Sequence, residues 1–130
     1  MSLRSPLGKV LGRGSAKQGV AHWWGQRVSA VALVPLTLWF VLEIIHLPLT
    51  DQGAVRAWVA SGIHPVLLLL FIGSIAWHSA LGVQVVLEDY VAHKPIKLAA
   101  LLTNTFFHVV VAIAAGYAVL RIAFTTIAQG

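Results

Sequence analysis

Three long apolar stretches divide the chain, and each is too uniform to be one face of a soluble helix. The first runs from about residue 27 to 47, with SAVALVPLTLWFVLEII as its body. The second runs from about 64 to 87 and the third from about 96 to 125. Each holds roughly 20 or more residues, enough at 1.5 Å per residue to cross about 30 Å of hydrocarbon. The pattern predicts an all-α membrane protein with three transmembrane helices. Pro65, after His64, suits a first helical turn, and Pro35 sits inside span one, where a kink is the expectation. The segment PLTDQGAVRAWVASG reads as a connector with a short interfacial helix around Ala54 to Ala60, and EDYVAHKP reads as a turn. Residues 1–22 lack an apolar core and read as an N-terminal cytoplasmic arm. Residues 23–130 form the transmembrane anchor.

Composition agrees. Only 10% of residues are charged and the mean hydropathy is +0.85, whereas a soluble domain carries roughly a quarter charged residues. There is no cysteine. Disulfides, thiolate-bound zinc and iron–sulfur ligation are thereby excluded, and metal chemistry would fall to the six histidines. The net charge of +5 is concentrated near the N-terminus. A basic tail on a hydrophobic body points to the lipid bilayer and topology control, not to nucleic acid.

Five basic residues, Arg4, Lys9, Arg13, Lys17 and Arg27, precede or open span one. Lys94 and Lys97 flank the second loop, while the first loop offers only Arg56. The positive-inside rule therefore predicts a cytoplasmic N-terminus and an external C-terminus. Arg121 runs against the rule but can snorkel. No transit-type leader stands at the start, which favours a bacterial inner membrane over the mitochondrial inner membrane.

Some residues are costly in lipid. His78 lies about ten residues from the inner end of span two, roughly 15 Å deep. One reading is a hydrogen bond to a neighbouring helix. The other is an axial haem ligand, since haem iron accepts a neutral imidazole. Ser74 and Gly82, at i−4 and i+4, make room for a flat macrocycle on that stripe, or for close helix packing. Asp89, eleven residues beyond His78, returns to nearly the same face. Asp89 and Tyr90 read either as an ordinary interfacial pair or as the wall of a quinone pocket. His108 in span three has a depth similar to His78 and is a candidate second ligand. His22 and Arg27, at the start of span one, are candidates for meeting haem propionates, with positive-inside anchoring as the alternative. Glu43 and His46 are expected to hydrogen-bond each other, and His64 and His93 to be solvated.

The stretch HSALGVQVVLEDYV resembles the hydrophobic membrane anchor of succinate dehydrogenase, respiratory complex II. The layout agrees: a short arm, HWWGQR before span one, and three spans with a short loop after the second. The resemblance implies one of two three-helix anchors that together hold a b-type haem. The partners it implies are a second anchor (the cytochrome b subunit), an iron–sulfur subunit and a flavoprotein subunit. Electrons from succinate would then reach ubiquinone near the cytoplasmic face. By the same resemblance His78 ligates haem iron, Tyr90 hydrogen-bonds the quinone, Asp89 adjoins it, and Arg27 lies toward the propionates. The chain would be no enzyme on its own. Two other readings stay open: the anchor of a different b-type cytochrome quinone oxidoreductase, or a small transporter or assembly subunit using Glu43 and His46 as a proton relay.

Overall fold

The computed structural model describes residues 17–128. It contains four helices: α1 (Lys17–His46), α2 (Gln52–Ala60), α3 (His64–Tyr90) and α4 (Lys94–Ile127). Helices α1, α3 and α4 are each long and apolar enough to cross a membrane, so the chain is a three-span, all-α membrane protein. Residues 1–16 of the basic arm lie outside the described residues. The last six residues assigned to that arm, 17–22, belong to the helix of span one.

Each helix ends where local chemistry requires it. Asp51 caps α2, its Oδ1 accepting from the backbone N–H of Gly53 at 2.8 Å and of Ala54 at 3.2 Å; such caps contribute about 1 kcal/mol. Gly62 has φ +48° between α2 and α3, a left-handed conformation that an L side chain resists. Prolines open α3 and α4 in their first turns, where the missing N–H costs no helical bond. Helix α1 continues through Pro35.

The second loop is shorter than the sequence suggests. Helix α3 continues through Tyr90 and α4 starts at Lys94, leaving a turn of residues 91–93. Glu88, Asp89 and Tyr90 are therefore the last helical residues and not part of a loop. Lys97 explains the tight closure: its Nζ donates to the Glu88 carbonyl at 2.6 Å, placing a cation at the negative end of α3.

Helix α3 packs against both α1 and α4, while α1 and α4 do not touch each other among the described residues. Helix α3 is thus the element through which the three spans pack together. Helix α2 lies across one end against α4 and α3, with Val59 buried and Arg56 exposed. Val59, Leu68 and Ala123 are the buried apolar side chains among the described residues. Most of the large apolar side chains face outward, as a surface made for lipid and other membrane subunits requires.

An aromatic cluster closes the α2 end. Trp58 stacks on Trp39 with ring centroids 6.0 Å apart and lies 5.0 Å from the His64 ring. Its Nε1–H donates to Glu43 Oε2 at 2.9 Å. Two expectations fail here. Glu43 is held by Trp58 and not by His46. His64 is not solvated: its Nδ1–H donates to the Trp58 carbonyl at 2.7 Å. The cause is the return of α2, which lays an indole over the carboxylate.

Candidate functional site

His78 points from α3 toward α1. Its Nδ1 lies 3.0 Å from Ser29 Oγ. Ser29 is the buried polar side chain of the bundle, and its Oγ–H is directed at the carbonyls of Gly25 (2.8 Å) and Gln26 (3.0 Å). A hydroxyl has one proton; when Ser29 gives it to a carbonyl of its own helix, Oγ is left to accept from His78 Nδ1–H. In that arrangement the proton sits on Nδ1 and Nε2 carries the lone pair. That is the tautomer a metal takes, with the other ring nitrogen held by a neighbour.

The surroundings of Nε2 are underused. Its contact is Gln26 Nε2 at 3.4 Å, long for a hydrogen bond. Gln26 Oε1 and His22 Nε2 are buried without a partner. His22, Gln26 and Ser29 fall at i, i+4 and i+7, one stripe of α1. Buried polar atoms without partners cost about 1–3 kcal/mol each, so one on Gln26 beside His78 and a second on His22 farther along α1 mark a stripe with room for another polar group. A groove of about 270 Å³ runs along this seam, lined by Gly25, Ser29, Ala32, Gly73, Ser74 and Trp77 among others.

Small residues perform two jobs along this seam. A Cβ on Gly25 would come within 3.2 Å of Leu81 Cδ1 and 3.3 Å of Trp77 Nε1, so glycine there lets α1 approach α3. A Cβ on Gly82 would meet Gln26 Nε2 at 3.9 Å. The stripe of Ser74, His78 and Gly82 thus faces α1.

His108 is committed elsewhere. Its Nδ1–H donates to the Asn104 carbonyl at 2.8 Å, and its Nε2 accepts from Ser79 Oγ at 3.0 Å. Asn104 Nδ2 donates to the Ala80 carbonyl at 2.9 Å. Together they form a polar seam between α4 and α3, distinct from the contacts that His78 makes with α1. The structure does not bring His78 and His108 together. Among the described residues no three His, Cys, Asp or Glu side chains converge as a metal site. The donor set therefore fits a group needing one imidazole from this chain, such as haem with its second ligand elsewhere.

At the α3–α4 turn, Tyr90 is 84% exposed and Asp89 is exposed. Glu88 accepts from Gln84 Nε2 at 2.7 Å, leaving Asp89 and Tyr90 projecting past the helix end. Arg27 is exposed and stacks over the Trp23 ring at 4.8 Å, next to but outside the buried stripe of His22 and Gln26. The sequence reading missed Ser29 and Gln26. The signal was available, because His22, Gln26 and Ser29 are polar residues at helical spacing at the head of an apolar span.

The family model for the succinate dehydrogenase/fumarate reductase transmembrane subunit matches residues 1–120. The chain belongs to this family. It is 30% identical over 117 residues to the succinate dehydrogenase hydrophobic membrane anchor subunit of Paracoccus denitrificans, covering 90% of each chain. It is 28% identical over 111 residues to the same-named subunit of Rickettsia bellii, covering 85% of this chain and 89% of that one. The same-named subunit of Coxiella burnetii is 30% identical over 88 residues, covering 65% of this chain and 74% of the relative. Family membership agrees with the HSALGVQVVLEDYV resemblance.

Proposed function

We propose that this chain, a membrane anchor subunit of succinate dehydrogenase, supplies His78 as one axial ligand of a b-type haem and Tyr90 with Asp89 as one wall of a ubiquinone site. The carrying observation is the setting of the His78 ring: Nδ1 lies 3.0 Å from Ser29 Oγ, while Nε2 has only a 3.4 Å contact with Gln26. Bound haem would supply a one-electron carrier inside the membrane.

The chain's own residues have distinct tasks in this reading. Ser29 fixes the imidazole ring and its tautomer. His22 and Gln26 offer unpartnered polar atoms near the haem edge, and Arg27 lies close enough in sequence to reach a propionate by unstacking from Trp23. Tyr90 donates a hydrogen bond to a quinone carbonyl, and Asp89 orients the phenol, a water or a cation from a partner. His78 and Tyr90 are twelve residues apart, about 18 Å at helical rise, which separates haem from headgroup along one helix. Neither site closes within this chain, so the remaining walls come from a second anchor carrying the other haem ligand and from the iron–sulfur subunit. The flavoprotein subunit oxidises succinate; the anchor itself is not the dehydrogenase.

Purification through a tag on this chain tests the assignment. The expected result is a complex that contains a flavoprotein, reduces quinone with succinate and absorbs as a b-type cytochrome. A chain that purifies without succinate-oxidising activity contradicts it. Family membership favours the anchor over the Glu43–His46 relay reading, and Glu43 accepts from Trp58.

The protein is a multi-pass inner-membrane protein, and its proposed orientation places the N-terminus and the α3–α4 turn in the cytoplasm. The support is basic residues at the N-terminus and at Lys94 and Lys97. Reporter fusions after Gly130 are then active only in a periplasmic format. Activity only in a cytoplasmic format reverses the topology.

A further inference from the structure

Two arginines meet at the end of the bundle opposite Tyr90. Arg56 of α2 and Arg121 of α4 line one pocket of about 500 Å³ with Tyr117 and Thr125. Both arginines are exposed. They are also the two basic residues, among nine Lys and Arg, that lie neither in the N-terminal region nor beside the α3–α4 turn. Their convergence therefore calls for a cause other than topology control.

Among the described residues, no carboxylate lines this pocket with the two guanidinium groups. The chain has four acidic side chains. Glu43 accepts from Trp58, and Asp51 accepts from the backbone of α2. Glu88 and Asp89 end α3 at the other membrane face. Arginine stays charged, so two guanidinium groups on one pocket repel unless an anion joins them.

Depth points to the kind of anion. Arg121 is 27 residues beyond Lys94 (121 − 94) in one continuous helix, about 40 Å at helical rise. A bilayer is about 30 Å thick across its hydrocarbon and 40–45 Å with its headgroups. If Lys94 stands in one headgroup layer, Arg121 stands in the opposite one. Arg56 reaches the same level from the interfacial helix α2. Planar guanidinium forks match phosphate oxygens bidentately, and the Tyr117 hydroxyl lining the same pocket is a further donor.

We propose that Arg56 and Arg121 bind the phosphodiester headgroup of an anionic phospholipid, which ties α2 to the end of α4. The test uses the whole complex in nanodiscs of phosphatidylcholine mixed with phosphatidylglycerol. After mild delipidation, retained phosphatidylglycerol is counted by native mass spectrometry. Arg56→Gln and Arg121→Gln should each weaken retention about fivefold, the weight of one basic residue at an anionic surface. Lys94→Gln, on the opposite face, should leave it unchanged. Arg121→Lys keeps the charge but not the fork and should fall between; it carries the test if the glutamine variants fail to assemble. Equal retention in all variants overturns the proposal, as does equal loss in Lys94→Gln. If inorganic phosphate displaces the lipid and protects the complex equally well, the pocket takes a free anion and the lipid assignment is overturned.

Discussion

Replacing Tyr90 by phenylalanine is expected to slow quinone reduction by up to about tenfold while leaving succinate oxidation by an artificial dye unchanged. The size follows from one hydrogen bond, worth roughly 0.5–1.5 kcal/mol, acting on the rate. The selectivity follows from geometry. Tyr90 is the last residue of α3 and is 84% exposed within its own chain. Removing the hydroxyl therefore disturbs little of the anchor's packing, and the ring remains for contacts with partner subunits. Dye reduction reads the flavoprotein, which lies in another chain. Steady-state assays with the two acceptors separate the outcomes. Equal loss of both activities marks failed assembly, and unchanged quinone reduction places the headgroup away from Tyr90.

The larger effect is expected at His78. His78→Ala removes the Nε2 that faces α1, and the imidazole of similar depth, His108, has its contacts in the α3–α4 seam instead. His108 uses both ring nitrogens, on Ser79 of α3 and the Asn104 carbonyl of α4. His22 is seven residues before Ser29 on α1, about 10 Å along the helix from the level of His78. If His78 holds the haem iron, its loss would leave this chain without a ligand to offer, so the expected change in the spectrum is qualitative. The cost to the helix packing itself is small by comparison. Ser29 keeps its bonds to the Gly25 and Gln26 carbonyls when the imidazole is gone. His108→Ala should behave in the opposite way. It costs about 1–3 kcal/mol of packing between α3 and α4, from two lost hydrogen bonds, and leaves the haem spectrum intact.

The number of spans, their approximate positions and the misfit of His78 are all legible in the sequence, because apolar runs of this length fit little besides a membrane-spanning helix. The face to which His78 turns is not. In a soluble bundle, periodicity separates the core side from the water side. Here lipid is as apolar as the helix interface, so neither α1 nor α3 carries a strong one-sided pattern. The direction emerges only when Ser29, Gln26 and His22 of α1 are seen against His78. Helix ends were equally hard to read. EDYVAHKP contains turn-prone and charged residues, yet α3 runs through Tyr90 because Lys97 reaches back to the Glu88 carbonyl. The Trp58–Glu43 bond was invisible for a related reason: it depends on α2 folding back over span one, a tertiary event with no local signature. Tyr90 and Asp89 were named from the sequence, and their exposure in this chain accords with a site that other subunits complete.

The measurement closest to the central claim is the succinate-reduced minus air-oxidised spectrum of the complex purified through this chain, taken for wild type, His78→Ala and His108→Ala. It requires the anchor, the dehydrogenase and the haem to be joined in one assembly. The expected result is a low-spin b-type band that succinate produces in wild type and in His108→Ala, and that is missing from His78→Ala. An unchanged band in His78→Ala, or its loss in His108→Ala alone, would contradict the assignment of His78 as the ligand.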